Sequence, residues 1–94
     1  MKVYIVDINI PFNMVVIANN EDEARKTAEE NVEAELRVID ASYEAIIGRP
    51  MEITKAPSEW EDSAPYVSPS IPRDELKGSM YMTVLQWIEK LKRP

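Results

Sequence analysis

The stretch that most constrains this chain is its beginning. Residues 2–18, "KVYIVDINIPFNMVVIA", are two runs rich in Val and Ile joined around Pro11. Such runs read as strands, and the short connection predicts an antiparallel hairpin. In the first strand, Val3, Ile5, Asp7 and Asn9 share one face and Tyr4, Val6, Ile8 and Ile10 the other. In the second, residues 12–18, Phe12, Met14 and Val16 alternate with Asn13, Val15 and Ile17. Both faces of the hairpin are therefore apolar, and both need cover. One helix covers only one of them.

The first cover follows directly. "NNEDEARKTAEENVEAEL" changes the period from strand to helix. Asn20 suits the N-cap, and Glu23 three residues on completes a capping-box pattern. Glu21, Asp22 and Glu23 fill the first turn, where the helix dipole favours acids. Ala24, Ala28, Val32 and Leu36 recur at four-residue spacing, and Ile39, Tyr43 and Ile46/Ile47 extend the stripe to about six turns. Gly48 is the expected C-terminal cap, with Pro50 beyond it. A break near Val38–Asp40 would make this two helices instead of one.

Residues 51–55, "MEITK", read as a third strand extending the hairpin sheet. Residues 56–73 hold Pro57, Pro65, Pro69 and Pro72, a density that forbids a helix or a central strand and predicts an extended loop. Residues 74–92 read as a last helix, with Leu76, Met80, Val84, Leu85, Ile88 and Leu91 on its apolar face and Lys90, Lys92 and Arg93 at its C-terminus. Gly78 weakens its first turns. The last helix either covers the second face of the sheet or pairs with another copy. The expected fold is α+β, a single domain over residues 1–94. It has a three-stranded antiparallel sheet in ββαβα order packed against a long helix. Residues 1–55 carry hairpin, helix and third strand, 56–73 the Pro-rich loop, and 74–94 the C-terminal helix.

Composition removes several kinds of chemistry. The 94 residues include no Cys and no His, so thiolate metal sites, thiol nucleophiles and the commonest general base are excluded. Two isolated glycines cannot build a phosphate-cradling loop. No apolar run approaches the roughly 18–20 residues of a membrane span. The N-terminus lacks the pattern of a signal peptide, and the expected location is the cytoplasm. Net charge is −6. Residues 21–62 hold thirteen acids against five bases, and residues 63–94 three against five. The acidic middle disfavours direct binding of nucleic acid or anionic membrane.

Two features have functional readings. The helix acids Glu29, Glu30 and Glu33 either form an ordinary solvated face or imitate nucleic-acid phosphates in a basic groove of another protein. Pairs at i,i+4 spacing, Glu21–Arg25, Asp22–Lys26 and Glu33–Arg37, belong to the first reading. The second feature is "SEWEDSAPY", residues 58–66, which sets Trp60 among Glu59, Glu61 and Asp62, with Tyr66 beyond. Trp60 either folds back on the core with its indole N–H bonded to an acceptor, or anchors an interface. No EF-hand pattern is present, and no catalytic carboxylate pair is placed in an evident cleft. The expectation is a protein without catalytic residues, metal or cofactor.

"VVIANNEDEARKTAEE" and "ITKAPSEWEDSAPY" resemble stretches of small phage-encoded and prophage-encoded αβ proteins. These combine a short hairpin, a helix opening on an "EDEA"-like turn, and a strand followed by Pro-x-x-Trp and Pro-Tyr. The matching stretches cover about a third of the chain. The second half of the helix and residues 74–92 depart from the pattern. The resemblance implies an accessory factor, among which are inhibitors of host defences including anti-CRISPR proteins. Such proteins act by binding. The expected partner is a protein, in the phosphate-mimic reading a basic nucleic-acid-binding complex, contacted through Glu29, Glu30, Glu33, Glu59, Trp60, Glu61, Asp62 and Tyr66. The alternative is a structural or regulatory homodimer with no foreign target, for which the two apolar sheet faces and "SMYM", residues 79–82, speak.

Overall fold

The computed structural model describes residues 1–8, 12–38 and 47–92, with the side chains of all these except Phe12 and residues 33–38. Strands β1 (Lys2–Ile8) and β2 (Phe12–Ala18) pair antiparallel, from Lys2 opposite Ala18 to Ile8 opposite Phe12. Helix α1 spans Glu21–Val38. Short strands β3 (Met51–Glu52) and β4 (Tyr66–Val67) close the sheet, whose order is β3-β1-β2-β4. β3 runs antiparallel to β1, and β4 parallel to β2. Helix α2 spans Val84–Lys92.

Alternation along the hairpin divides the interior into two cores, one on each sheet face. On the first, Tyr4, Val6, Ile8, Met14, Val16 and Ala18 meet Ala24, Ala28 and Val32 of α1. The small alanines let the helix axis approach the sheet closely. On the second, Val3, Val15 and Ile17 meet Ala56, Ile71, Val84, Trp87 and Ile88. Val6, Val15, Val16 and Ile17 are fully enclosed, each worth about 1.5–3 kcal/mol relative to exposure. α2 thus covers the second face within the same chain, with help from the Pro-rich segment. That segment and the turn after it put Ala56, Trp60, Val67, Ile71 and Leu76 into the second core, and the prolines stand between these anchors.

α1 opens as its sequence directs. The Glu23 N–H donates to Asn20 Oδ1 at 2.9 Å, and the Glu23 carboxylate accepts from Asn20 Nδ2 at 3.0 Å. Within the turn that follows, buried Thr27 donates its hydroxyl to the Glu23 carbonyl at 2.8 Å.

Four expectations are corrected. The sheet is four-stranded and mixed, not three-stranded and antiparallel. Its extra strand, Tyr66–Val67, fits between Pro65 and Pro69 because it lies at an edge, where a missing N–H is tolerated. The third strand is two residues long instead of five. The helical stripe does not reach Ile47. Ile47 forms an antiparallel bridge with Ile8, and the Gly48 N–H donates to the Asp7 carbonyl at 2.8 Å. Gly48 is therefore no helix cap: a Cβ there would stand 3.1 Å from the Asp7 carbonyl oxygen, so glycine serves a close backbone approach to β1. Ile39, Tyr43 and Ile46 lie outside the described residues.

The last correction is the C-terminal helix, which begins at Val84, not at residue 74. Residues Arg73–Leu76 make a 3₁₀ turn, and Gly78 breaks any continuation with φ +80°. α2 then starts afresh with its own cap. The Gln86 N–H donates to Thr83 Oγ1 at 3.3 Å, and Gln86 Oε1 accepts from the Thr83 N–H at 2.9 Å.

Candidate functional site

Trp60 decides the shape of the acidic turn. Pro57, extended at φ −60° and ψ 144°, starts a 3₁₀ turn over Ser58–Trp60. The turn is closed by the Trp60 N–H on the Pro57 carbonyl at 2.9 Å and the Ser63 N–H on the Trp60 carbonyl at 3.2 Å. The half-buried indole packs on the second core and donates its N–H to Asn13 Oδ1 at 2.8 Å. Asn13 lies on β2, on the sheet face shared with Val15 and Ile17. The ring therefore closes the protein's own core, and Glu59, Glu61 and Asp62 are turned to solvent around it.

These three carboxylates have no ion-pair partner among the described residues. Glu59 is held below the usual glutamate range, chiefly by its own backbone N–H, then by the Ser58 hydroxyl at 3.1 Å, with a smaller contribution from the Asn13 side chain. Asn13 thus serves the turn twice, as acceptor for Trp60 and as partner of Glu59.

The same turn leans on α2. The Val84 N–H, at the start of the helix, donates to the Ser63 carbonyl at 2.9 Å. The acidic turn is thereby tied through its backbone to the start of α2. The residues leading into α2 form a fixed turn. Ser79 is buried, its N–H donates to the Leu76 carbonyl at 2.8 Å, and its carbonyl accepts from the Met82 N–H at 3.2 Å. The Ser79 hydroxyl accepts from Lys90 Nζ, which also lies 5.2 Å over the Trp87 ring. Trp87 itself is core. With Ser79 held from three sides, Met80 and Tyr81 stand out in solvent, 68% and 92% exposed.

The acids of α1 are arranged differently. Glu29 and Glu30 are exposed, but Glu29 pairs with Arg25 at 3.4 Å. Glu21 pairs with Arg49 through two contacts, at 3.2 and 3.3 Å, which raises the Arg49 guanidinium pKa. The expected Glu21–Arg25 pair is thus replaced by two others, and Asp22 and Lys26 form no ion pair among the described residues. The side chains of Glu33 and Arg37, the other pair expected from spacing, lie outside the described part. α1 belongs to the first sheet face and the Trp60 turn to the second. The two acidic groups are therefore not one surface. Tyr66, on edge strand β4, packs against the first core, away from Trp60.

Two grooves are formed by the described residues. A groove bounded by Met1, Val3, Ile53, Ile88 and Leu91 holds about 100 Å³, less than the roughly 300 Å³ at which drug-sized sites begin. A wider, open groove of about 340 Å³ lies along Gly78, Met80, Tyr81 and Met82. Among the described residues no group of three or more Asp or Glu is placed to share a metal ion, and no helix is long and apolar enough to cross a membrane. Buried Tyr4 has its hydroxyl pKa pushed up, first by burial and then by Glu52, Glu21 and Glu23, which makes it a poorer acid.

Sequence reasoning placed the 79–82 stretch on a helix and so missed its presentation as a turn. The available cues were Gly78 and the T-x-x-Q capping pattern of Thr83 and Gln86. Comparison of the chain with family models, with curated proteins and with solved structures finds no match.

Proposed function

We propose that this is a non-enzymatic protein that acts by binding another protein through an acidic surface. Its target in this reading is a basic, nucleic-acid-handling complex of a bacterial host, which it inhibits from within the cytoplasm, as do some of the phage accessory proteins that the sequence resembles. The observation that carries the reading is the turn over Glu59, Glu61 and Asp62. Three unpaired carboxylates are presented on backbone fixed by Trp60 and Asn13. Fixed charge loses little freedom on contact, and it discriminates partners by sign. On α1 the acids alternate with Arg25 and Lys26 and are partly spent on internal pairs, so the turn is the stronger candidate.

The test is capture of partners from a bacterial lysate by the tagged protein, at low and then moderate salt. Exposed charges are screened over about 10 Å at 0.1 M salt. A nucleic-acid-binding complex held at low salt and released at moderate salt supports the reading. Recovery of the protein alone at both salts rejects it.

A further inference from the structure

We infer that Met80 and Met82 form a binding site for a soft monovalent metal cation, copper(I) or silver(I), held by their two thioether sulfurs. The inference goes beyond the functional reading above and stands independently of it. The absence of Cys and His removes thiolate and imidazole ligands but leaves the thioether, a soft donor that selects copper(I). Five methionines carry one. Met14 is sealed in the first core. Met51 stands exposed on edge strand β3, and Met1 packs on the second core beside the smaller groove. Met80 and Met82 line one groove together, the open one of about 340 Å³.

The lining suits a soft ion and not a hard one. Among the described residues it consists of Gly78, Met80, Tyr81 and Met82. Gly78 adds no side chain, and Tyr81 adds a ring whose face attracts cations. No carboxylate enters the lining, whereas magnesium and calcium require oxygen ligands. The Lys90 ammonium, bonded to Ser79, opposes any cation held by charge alone. What remains is binding through sulfur. The backbone between the two thioethers is set beforehand. The Ser79 N–H donates to the Leu76 carbonyl at 2.8 Å and the Met82 N–H to the Ser79 carbonyl at 3.2 Å, which makes two consecutive turns. Met80 and Tyr81 are the central residues of the second, and Met82 closes it. Packing on the second core accounts for Met82. It does not account for Met80, which is 68% exposed. One side chain is thus anchored and the other free, and the flexible thioether chain lets Met80 close on an ion without moving the backbone. Such preorganisation lowers the cost of capture.

The test is a titration of the protein, labelled at its methionine methyl carbons, with silver nitrate in chloride-free buffer. Silver(I) shares the charge and softness of copper(I) and is stable in air. The methionines are read side by side. The proposal expects the Met80 and Met82 signals to move together and to saturate at one equivalent, with Met51, 59% exposed, moving only in excess. Magnesium should move neither signal. Met80→Leu and Met82→Leu keep the apolar volume and remove the sulfur. Each should weaken silver binding at the remaining methionine by about tenfold or more, with the amide spectrum otherwise that of the parent. Met80→Leu, at the exposed position, gives the same reading if Met82→Leu disturbs the core. Shifts that follow exposure alone, with Met51 and Met80 alike and Met82 unmoved, would overturn the site in favour of independent thioethers. So would a Met80→Leu protein whose Met82 binds silver as tightly as in the parent. Neither result bears on the acidic turn, whose own test is capture from lysate.

Discussion

Trp60 is worth more to this protein as a closure of its core than its acidic neighbours imply, and the size of the effect can be worked out. Full truncation of a buried Trp costs about 3–5 kcal/mol. Trp60 is half-buried, so the packing loss for Trp60→Ala is ~2 kcal/mol. The substitution also removes the donor to Asn13 Oδ1 at 2.8 Å, which adds ~1 kcal/mol when the acceptor is partly buried. The sum, ~3 kcal/mol, is a large part of the ~5–15 kcal/mol that stabilises a small domain. It should lower Tm by ~10–20 °C. Urea unfolding followed by far-ultraviolet circular dichroism measures it without depending on the removed fluorophore. Trp60→Phe keeps most of the ring and loses the hydrogen bond. In a double-mutant cycle with Asn13→Ala, it should show a coupling of ~1 kcal/mol. A Trp60→Ala protein within ~0.5 kcal/mol of the parent, or a cycle with no coupling, would refute the assignment of Trp60 to the core.

Other substitutions probe the elements that hold the site. Gly78→Ala meets nothing within 4 Å but must adopt φ +80°, so it should cost ~1 kcal/mol by backbone strain alone, visible as a fall in Tm of several degrees. Thr83→Ala removes the cap of α2 and should cost ~1 kcal/mol in urea unfolding; an unchanged midpoint would mean that the helix does not depend on that cap. Glu59 has a folded-state pKa below its unfolded value, so its contribution is present above the ordinary glutamate range and is lost as pH falls through the lower folded value. The parent should therefore lose more stability on acidification than Glu59→Gln does, and equal losses in the two proteins would count against the hydrogen bonds assigned to Glu59.

The sequence and the structure agree most closely where two signals coincide. In the hairpin, the strand alternation and the short connection point to an antiparallel pair with two apolar faces, and that is found. At the start of α1, the Asn20–Glu23 pairing and the Ala24, Ala28, Val32 stripe do the same. The departures occur where apolar spacing alone was read. Leu76, Met80, Val84 and Ile88 stand four apart, as on a helix. Yet Leu76 and Val84 reach the second core from a 3₁₀ turn and from a separate helix, and Met80 points to solvent. Ile47 likewise continues the stripe of α1 in number but packs on the first core from extended chain. Burial on one face does not specify the backbone that delivers it.

The candidate site was legible in part. The acids around Trp60 and the choice between core and interface were readable from residues 58–62. That Trp60 turns inward, and that this fixes three carboxylates outward, depended on Asn13, forty-seven residues away in sequence. No local pattern encodes that contact. The separation of the α1 acids from the Trp60 turn, by the thickness of the sheet, was equally invisible until the hairpin faces were assigned to their covers.

The central claim is that the contact surface is the acidic turn and not the acidic helix. Two neutralised proteins decide it: Glu59→Gln/Glu61→Gln/Asp62→Asn, and Glu29→Gln/Glu30→Gln. All five positions are exposed, so both proteins can be checked for unchanged folding before use. Each is used, beside the parent, to capture partners from a bacterial lysate at low salt. The account predicts that the turn variant loses the complex and the helix variant keeps it. A complex retained by the turn variant and lost by the helix variant would contradict it.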